Sequence, residues 1–387
     1  MTYLDDELRM LRDETRKFTA NEVLPEANER DPEGERMSDD LIDALGEMGF
    51  FGIMTPEKYG GLDLGPLAYA VVTEELARGW LSVASIIARG QNLSGATEAQ
   101  KAEYLPDMAA GERLKAISIS EPGAGSDVAG MSTTAEKVGD EYEIDGQKTW
   151  CTFAKGADFI VLYAKTDPDA SPRHTGISAF IVDKSPGEFD VDGLSGRKID
   201  TIGYHGWHSY ELNLDNVRVP ADKLIGGEEG QGFYQIMEFF EPARVHTAAR
   251  AIGLARGALE DALEYAGDRQ QFGQPIGDFQ AIRFKLATMA TKIEAARQLT
   301  HSVASRKEAG GRADREACMA KYFASEMAEE VTSEGIQILG GNGYTTDYPM
   351  ERYWRDARLT KIFEGTSEIQ QRVIADRLFE QGVHPDR

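Results

Sequence analysis

Cysteine is almost missing: Cys151 and Cys318 are the only two in 387 residues, far apart and without metal-ligand spacing. That excludes a disulfide framework and a cysteine-built metal centre, and it fits a reducing cytoplasm. No apolar run approaches the ~18 residues of a membrane-spanning helix. The opening Met1-Thr2-Tyr3-Leu4-Asp5-Asp6-Glu7 lacks the basic-then-apolar order of a secretory signal. Neither G-x-G-x-x-G nor G-x-x-x-x-G-K-S/T occurs, so nothing points to a dinucleotide Rossmann unit or a P-loop. Bases are scarce: 42 Lys and Arg face 66 Asp and Glu, a net charge of −24. Nucleic acid, whose phosphates need a basic surface, is thereby disfavoured as a partner. The acid lies in short clusters (Asp5-Asp6-Glu7, Glu228-Glu229, Glu329-Glu330) and is not gathered in one tail. Dispersed in this way it reads as a solvation device of the kind a salt-loving organism uses, with an acidic docking face as the alternative.

What is present falls into three blocks, and a 41% hydrophobic content can fill their cores. In residues 1–113, Leu8, Leu11, Phe18, Val23 and Leu24 recur near helical spacing until Pro25 and Asp31-Pro32-Glu33-Gly34 break it. Asp39 or Asp40 is expected to cap a short helix with Leu41, Ile42, Leu45 and Met48 inward. A helix through Tyr69, Val72 and Leu76 runs on to Ile86. Near Leu114 the period becomes strand-like. Gly139-Asp140 and Asp145-Gly146 read as hairpin turns, and Asp215-Asn216 as a further turn between alternating runs. From Gly232 the helical period returns, ending one helix at Gly310-Gly311 and carrying another from Asp314 to about Leu339. The expected architecture is an N-terminal all-α domain (1–113), a middle antiparallel β-barrel or sandwich (114–222) and a C-terminal four-helix bundle (223–387).

Two stretches carry chemistry. In Lys361-Ile-Phe-Glu-Gly-Thr-Ser-Glu-Ile-Gln370, Ser367 with Gln370 spells a capping box, so a helix should start there. Glu364 then sits on the loop before it, beside a glycine that lets a ligand come close, as a general base would. Alone, this pair also reads as a solvated glutamate at a helix entry. In Ser118-Ile-Ser-Glu-Pro-Gly-Ala-Gly-Ser-Asp127, Pro122, Gly123 and Gly125 force a turn whose backbone N–H groups can face an anionic or carbonyl-rich ligand.

Four segments in fixed order decide the matter. Glu121–Asp127 with Gly146-Gln-Lys-Thr-Trp-Cys-Thr152, Arg269-Gln-Gln-Phe-Gly-Gln-Pro275 with Phe279-Gln280, Gln337-Ile-Leu-Gly-Gly-Asn-Gly-Tyr344, and Phe363-Glu-Gly-Thr-Ser367 resemble the acyl-CoA dehydrogenase family over the whole chain. The resemblance implies FAD as cofactor and no metal. Ile117, Ile119, Ser120, Gly125, Ser126, Trp150 and Thr152 would contact the isoalloxazine and ribityl part. Arg269, Phe272, Gln280, Gln337, Gly340 and Gly341 would hold the diphosphate and adenine end from a neighbouring subunit. Thr366 and Glu368 match further flavin contacts, and Ser126, Glu241, Arg244 and Gly365 match positions at the CoA thioester.

In that family the residue at Glu364 takes the α-proton and the β-hydride goes to flavin N5, giving a trans-2-enoyl-CoA, as in fatty acid β-oxidation. The resemblance further implies a homotetramer and an electron-transferring flavoprotein as acceptor. Departures lie between Asn92 and Thr97, where the chain is shorter than usual, and at Gln370-Gln371-Arg372, which displaces a CoA-facing arginine. Both bear on substrate. Arg78, near the shortened segment, is a candidate clamp for a distal carboxylate, as in glutaryl-CoA dehydrogenases; the alternative is a pairing with Glu74 or Glu75 on its own helix. A flavin oxidase or monooxygenase, a flavin-bearing nucleic-acid-associated protein and a non-catalytic scaffold are the other readings this fold admits.

If the acidity is an adaptation to salt, stability should rise between low and multimolar salt, because the Debye length falls from ~10 Å at 0.1 M to ~3 Å at 1 M. The check is a melting temperature measured across that series; a flat or falling curve rejects the adaptation.

Overall fold

The computed structural model describes residues 4–311 and 313–383, with the side chain of Glu241 outside the described set. Six α-helices come first: α1 Asp6–Phe18, α2 Leu24–Arg30, α3 Asp39–Glu47, α4 Gly65–Gly79, α5 Leu81–Ile86 and α6 Glu98–Ala110. Their starts follow local chemistry. Asp5 caps α1 by accepting from the Leu8 N–H, and Thr97 with Gln100 forms a full capping box on α6. The cap of α3 is Ser38, which accepts from the Leu41 N–H, so Asp39 and Asp40 occupy the first turn. Met48 faces solvent, since α3 has ended by then.

Seven strands follow: β1 Lys115–Ser118, β2 Thr134–Val138, β3 Glu141–Thr152, β4 Phe159–Lys165, β5 Ile177–Asp183, β6 Leu194–Ile199 and β7 Ser209–Pro220. They form one sheet in the order β1-β4-β2-β3-β7-β6, with β5 on β4. Pairing is antiparallel except where β1, and one residue of β2, run parallel to β4. The expected turn at Gly139-Asp140 is the β2–β3 hairpin. The other two expected turns are not turns. Asp145-Gly146 lies inside β3 and Asp215-Asn216 inside β7, opposite each other, where the register steps from Ile144↔Val217 to Gly146↔Leu214. Asn216 takes φ 55°, and its N–H donates to the Asp145 carboxylate at 2.9 Å. Turn-forming residues here make one bulge, Asp215 and Asn216 against Asp145, that bends a long two-stranded ribbon, and sequence alone does not separate a bulge from a turn.

The remaining helices are α7 Gly232–Asp268, α8 Gln280–Glu308, α9 Asp314–Leu339, α10 Met350–Thr360 and α11 Ser367–Gln381. A small hairpin of β8 Gln270–Gln271 and β9 Gln274–Pro275 joins α7 to α8. The sequence reading missed α10, whose inward face interleaves Met350, Tyr353 and Ala357 with Arg352, Asp356 and Thr360. Helix α11 is capped by Thr366, one residue before the predicted cap, and the Ser367 hydroxyl instead donates to Glu326. Among the described residues, no helix is long and apolar enough to cross a membrane.

One apolar cluster runs through all three blocks. Helix α4 lies so close on α7 that a Cβ at Gly253 would stand 2.3 Å from the Glu74 carbonyl oxygen. A buried ion pair locks that contact, Arg256 binding Glu75 through two bonds of 2.6 Å, and the half-buried Arg297 of the third block binds Glu74 at 2.9 Å from the side. Arg78 joins the same interface, donating to Glu260, Asp261 and the Tyr353 hydroxyl. Its guanidinium is therefore committed to helix packing, with neither of the two uses expected from sequence.

The turn after β1 is folded around a buried carboxylate. Glu121 accepts from the Ser132 N–H and hydroxyl, from the Thr133 N–H, and from Lys148 Nζ at 2.9 Å. Burial pushes its pKa up, but the Lys148 charge and the hydrogen bonds from Thr133 and Ser132 outweigh this and hold it at about 2. Removing one partner of such a pair strands the other in the interior, so Glu121→Gln should cost about 3–5 kcal/mol. Because the folded pKa is depressed, the stabilisation is complete above the ordinary value of 4.5 and is lost as pH falls toward about 2. Denaturant melts of both proteins across that window should therefore converge at the acid end.

Candidate active site

Helix α10 ends in a turn in which the Ile362 and Phe363 N–H groups both return to the Leu359 carbonyl. The next two residues are left-handed: Glu364 has φ 54° and Gly365 φ 86°. For a glutamate this conformation costs about 1–2 kcal/mol, and it is enforced from several sides. Lys321 Nζ and Gln370 Nε2 donate to the Gly365 carbonyl at 2.6 and 2.9 Å, and the Thr366 hydroxyl caps α11. A Cβ at position 365 would lie 2.6 Å from Gln370 Nε2, so glycine is required.

The kink turns the Glu364 carboxylate onto α7. There it accepts from Arg250 Nη2 at 2.6 Å and from the Thr247 hydroxyl, one helical turn apart. Arg250 is buried and is held in turn by the Ser85 hydroxyl of α5 at 2.8 Å and by Thr247 at 2.9 Å, with the Phe363 ring beneath it. Burial would lower the Arg250 pKa, but the Glu364 carboxylate raises it above the usual guanidinium value. Burial and the Arg250 charge push His246 well below the usual imidazole range. Its neutral ring stacks on Tyr69 and meets the Ala84 carbonyl through Nε2, at 2.9 Å. Burial also lifts the Tyr204 phenol to about 12 and lowers Lys321 to about 8. Glu364 keeps lone pairs on both oxygens and a quarter of its side chain exposed, as a proton acceptor needs. Among the described residues its own N–H donates to nothing, leaving it for a developing oxyanion.

The predicted flavin-contacting residues form two groups. On the strand block, Ser120 is tied to β3 by the Thr149 N–H, and Thr152 shares a hydroxyl bond with Ser209 at 2.8 Å. Trp150 takes φ 58° at a bulge and leaves 59% of its surface exposed. Ile117 and Ile119 are half-buried, Ser126 is exposed, and a Cβ at Gly123 or Gly125 would meet open space. An exposed indole beside an open, N–H-rich turn fits a flat, partly polar ring system such as a flavin. The second group lies at the far end of the bundle, where Asn342 bonds the Tyr265 hydroxyl and so sets the Gly340–Tyr344 turn against the end of α7. Arg269, Gln280, Gln337, Gly340 and Gly341 are exposed there, with Phe272 at the hairpin tip at φ 52° and 94% exposure. Among the described residues no hydrogen bond or ring contact joins the two groups.

Around the carboxylate, Gly365 shapes the loop, Thr366 caps α11 and Glu368 stands exposed in its first turn. Arg244, on α7, keeps a buried Nε without a described partner, and the Glu241 side chain lies outside the described residues. Sequence reasoning missed Thr247, Arg250, Tyr204 and Arg89. For Arg250 there was a signal: a lone charge in Thr247-Ala-Ala-Arg-Ala-Ile252, where a packed helix otherwise shows small and apolar residues. Left-handed backbone at a bulky residue is a further mark of function, and Trp150, Tyr204, Phe272 and Glu364 all carry it.

Comparison with known proteins agrees with the fold. Three family models match in order: the acyl-CoA dehydrogenase N-terminal domain over residues 5–112, the middle domain over 116–217 and the C-terminal domain over 230–379. The (2S)-methylsuccinyl-CoA dehydrogenase of Cereibacter sphaeroides is 43% identical over 97% of this chain and 70% of its own length. Subunit CarC of the caffeyl-CoA reductase-Etf complex of Acetobacterium woodii is 39% identical, over 98% of this chain and 100% of its own. The solved butyryl-CoA dehydrogenase of Megasphaera elsdenii superposes with a TM-score of 0.91 at 37% identity, covering 98% of this chain and 100% of that one. With its helix–sheet–helix order and these whole-length matches, the chain belongs to the acyl-CoA dehydrogenase family and is an oxidoreductase acting on acyl-CoA.

Proposed function

We propose that this protein removes hydrogen across the α,β bond of an acyl-CoA thioester to give a trans-2-enoyl-CoA, with FAD as cofactor and Glu364 as the base. The observation that carries this is the Glu364 carboxylate, turned by two left-handed residues onto Thr247 and Arg250. The α-proton of a thioester is a weak acid, so its removal needs an aimed base and charge stabilisation at the thioester oxygen. Glu364 supplies both: an oxygen lone pair takes the proton, and its free N–H faces the oxygen where charge gathers. Thr247 and Arg250 fix the rotamer, so little reorganisation is needed as the proton moves. Bound FAD supplies the acceptor for the β-hydride. The strand-block residues from Ile117 to Ser126, with Trp150 and Thr152, would hold its ring. Arg269, Phe272, Gln280, Gln337, Gly340 and Gly341 would hold the diphosphate and adenine end of a neighbour's FAD. Ser126, Glu241, Arg244 and Gly365 would face the CoA thioester, and Thr366 and Glu368 the flavin.

Two finer points belong to this reading. The electron acceptor is an electron-transferring flavoprotein, supported by the kinship with a subunit of an Etf complex. The assembly is a homotetramer, supported by the separation of the two flavin-facing groups and by the exposure of Phe272 and Tyr344 at 94% and 86%. Three domains, 1–113, 114–222 and 223–387, make up each subunit.

Glu364→Gln should lower kcat by about 10²–10⁴-fold while FAD content and acyl-CoA binding persist. Stopped-flow bleaching of the flavin under nitrogen measures this, and turnover near wild type would place the base elsewhere. In air the reduced enzyme should reoxidise slowly, where an oxidase would reoxidise fast. A sedimentation and absorbance series on dilution should show FAD leaving as the tetramer dissociates. A monomer that keeps full FAD affinity would refute the shared site.

A further inference from the structure

Positive charge gathers around the single carboxylate of this site. Arg89, Arg250, Arg244 and Lys321 all lie within electrostatic reach of Glu364 or of one another. Two of these cations are spent. Arg250 holds Glu364, Ser85 and Thr247, and Lys321 holds the Gly365 carbonyl. Arg244 belongs to the segment proposed at the CoA thioester. Lys115, next to Arg89, is capped by the Gln91 and Asn92 carbonyls at 2.6 Å each.

Two are not: Arg244, whose buried Nε also lacks a described partner but which lies in the CoA segment, and Arg89. Its guanidinium lies 4.9 Å from the centre of the Trp207 ring, and its Nε is buried without a hydrogen-bond partner. Among the described residues it has no ion pair. Its electrostatic neighbours are Tyr204, Cys151, Glu364 and Arg250. None of them supplies a spare anion. Burial holds the Tyr204 phenol at about 12 and the Cys151 thiol at about 11, so both are neutral at physiological pH. Glu364 is already paired with Arg250. Arg89 and Arg250 against Glu364 thus leave one positive charge in excess beside the Trp207 and Phe363 rings. A half-buried cation without an anion is poorly compensated, and a hydrocarbon acyl chain brought against it would make matters worse by excluding water.

We propose that the acyl substrate is a short dicarboxylic thioester, and that Arg89 is the residue that binds its distal carboxylate. This rests on the acyl-CoA reading above and names the substrate class for that site. A planar guanidinium binds a carboxylate through paired hydrogen bonds, and the face of Trp207 fixes its plane. The spacer must be short, because the α-carbon has to reach Glu364 while the far carboxylate reaches an arginine whose field Glu364 shares. Arg78, the arginine that sequence offered for this task, is held by Glu260 and Asp261 instead.

The test compares kcat/KM of the FAD-loaded enzyme for methylsuccinyl-CoA, glutaryl-CoA and butyryl-CoA, with a dye as acceptor. Wild type should prefer a dicarboxylic thioester to butyryl-CoA. Arg89→Leu should lower that preference by about 10²-fold, as expected when one partner of a buried charge pair is removed. Arg89→Lys, which keeps the charge and loses the fork, should fall between the two. Flavin content and melting temperature are measured on each; where Arg89→Leu loses its flavin, Arg89→Gln takes its place. A wild-type preference for butyryl-CoA overturns the proposal, as does a preference unchanged in a flavin-loaded variant. If no thioester reduces the dye, the acyl-CoA reading fails and the carboxylate site with it. Turnover of butyryl-CoA alone refutes only the carboxylate site.

Discussion

Buried charges that must find a counter-charge hold this molecule together. Helix α7 presents Arg250 to Glu364 and Arg256 to Glu75, while Arg297 on α8 reaches Glu74 and Arg355 on α10 reaches Asp31 at 2.6 Å. In each case the partner comes from another segment: the loop before α11, helix α4, or the end of α2. A buried charge left alone costs several kcal/mol, so these pairs narrow how the segments can meet more than apolar contact alone would. Catalytic geometry comes from the same rule, since the carboxylate proposed as base is also the anion that satisfies Arg250.

This explains what could and could not be read in the sequence. Apolar periods gave the three blocks, because a helix stripe and an alternating strand are local patterns. Long-range choices were hidden. Asp145-Gly146 and Asp215-Asn216 look like turns until each is found opposite the other, and the apolar stripe of α10 is interleaved with buried charge and hydroxyls. Glu364 was legible through its motif. Arg250 showed only as a lone charge in an apolar helix and Arg89 not at all, since nothing near them in sequence says that Glu364 or Trp207 will lie against them. Arg78 failed for the same reason: its partners Glu260 and Asp261 are almost two hundred residues away.

The charge of the whole chain and the charge of the site have opposite signs. A surface rich in acid surrounds an interior in which Arg89, Arg244, Arg250 and Lys321 outnumber Glu364. These charges act over different distances. Salt screens the outer acid within about 10 Å at 0.1 M, while the interior cations keep their reach in a low-dielectric setting. Solubility and selectivity can therefore be set independently.

The Thr247 hydroxyl holds one hydrogen and stands before two acceptors, the Ala243 carbonyl at 2.9 Å and the Glu364 carboxylate, while Arg250 donates to its oxygen. It can serve one acceptor at a time. With Glu364 ionised, the hydrogen turns toward the carboxylate. On the proposed reading, protonation of Glu364 would weaken that demand and let the hydroxyl turn back to its own helix. Such a rotation is fast beside catalytic turnover. With Glu364 as the proposed base, the Thr247 hydroxyl would close on the carboxylate again each time the proton leaves.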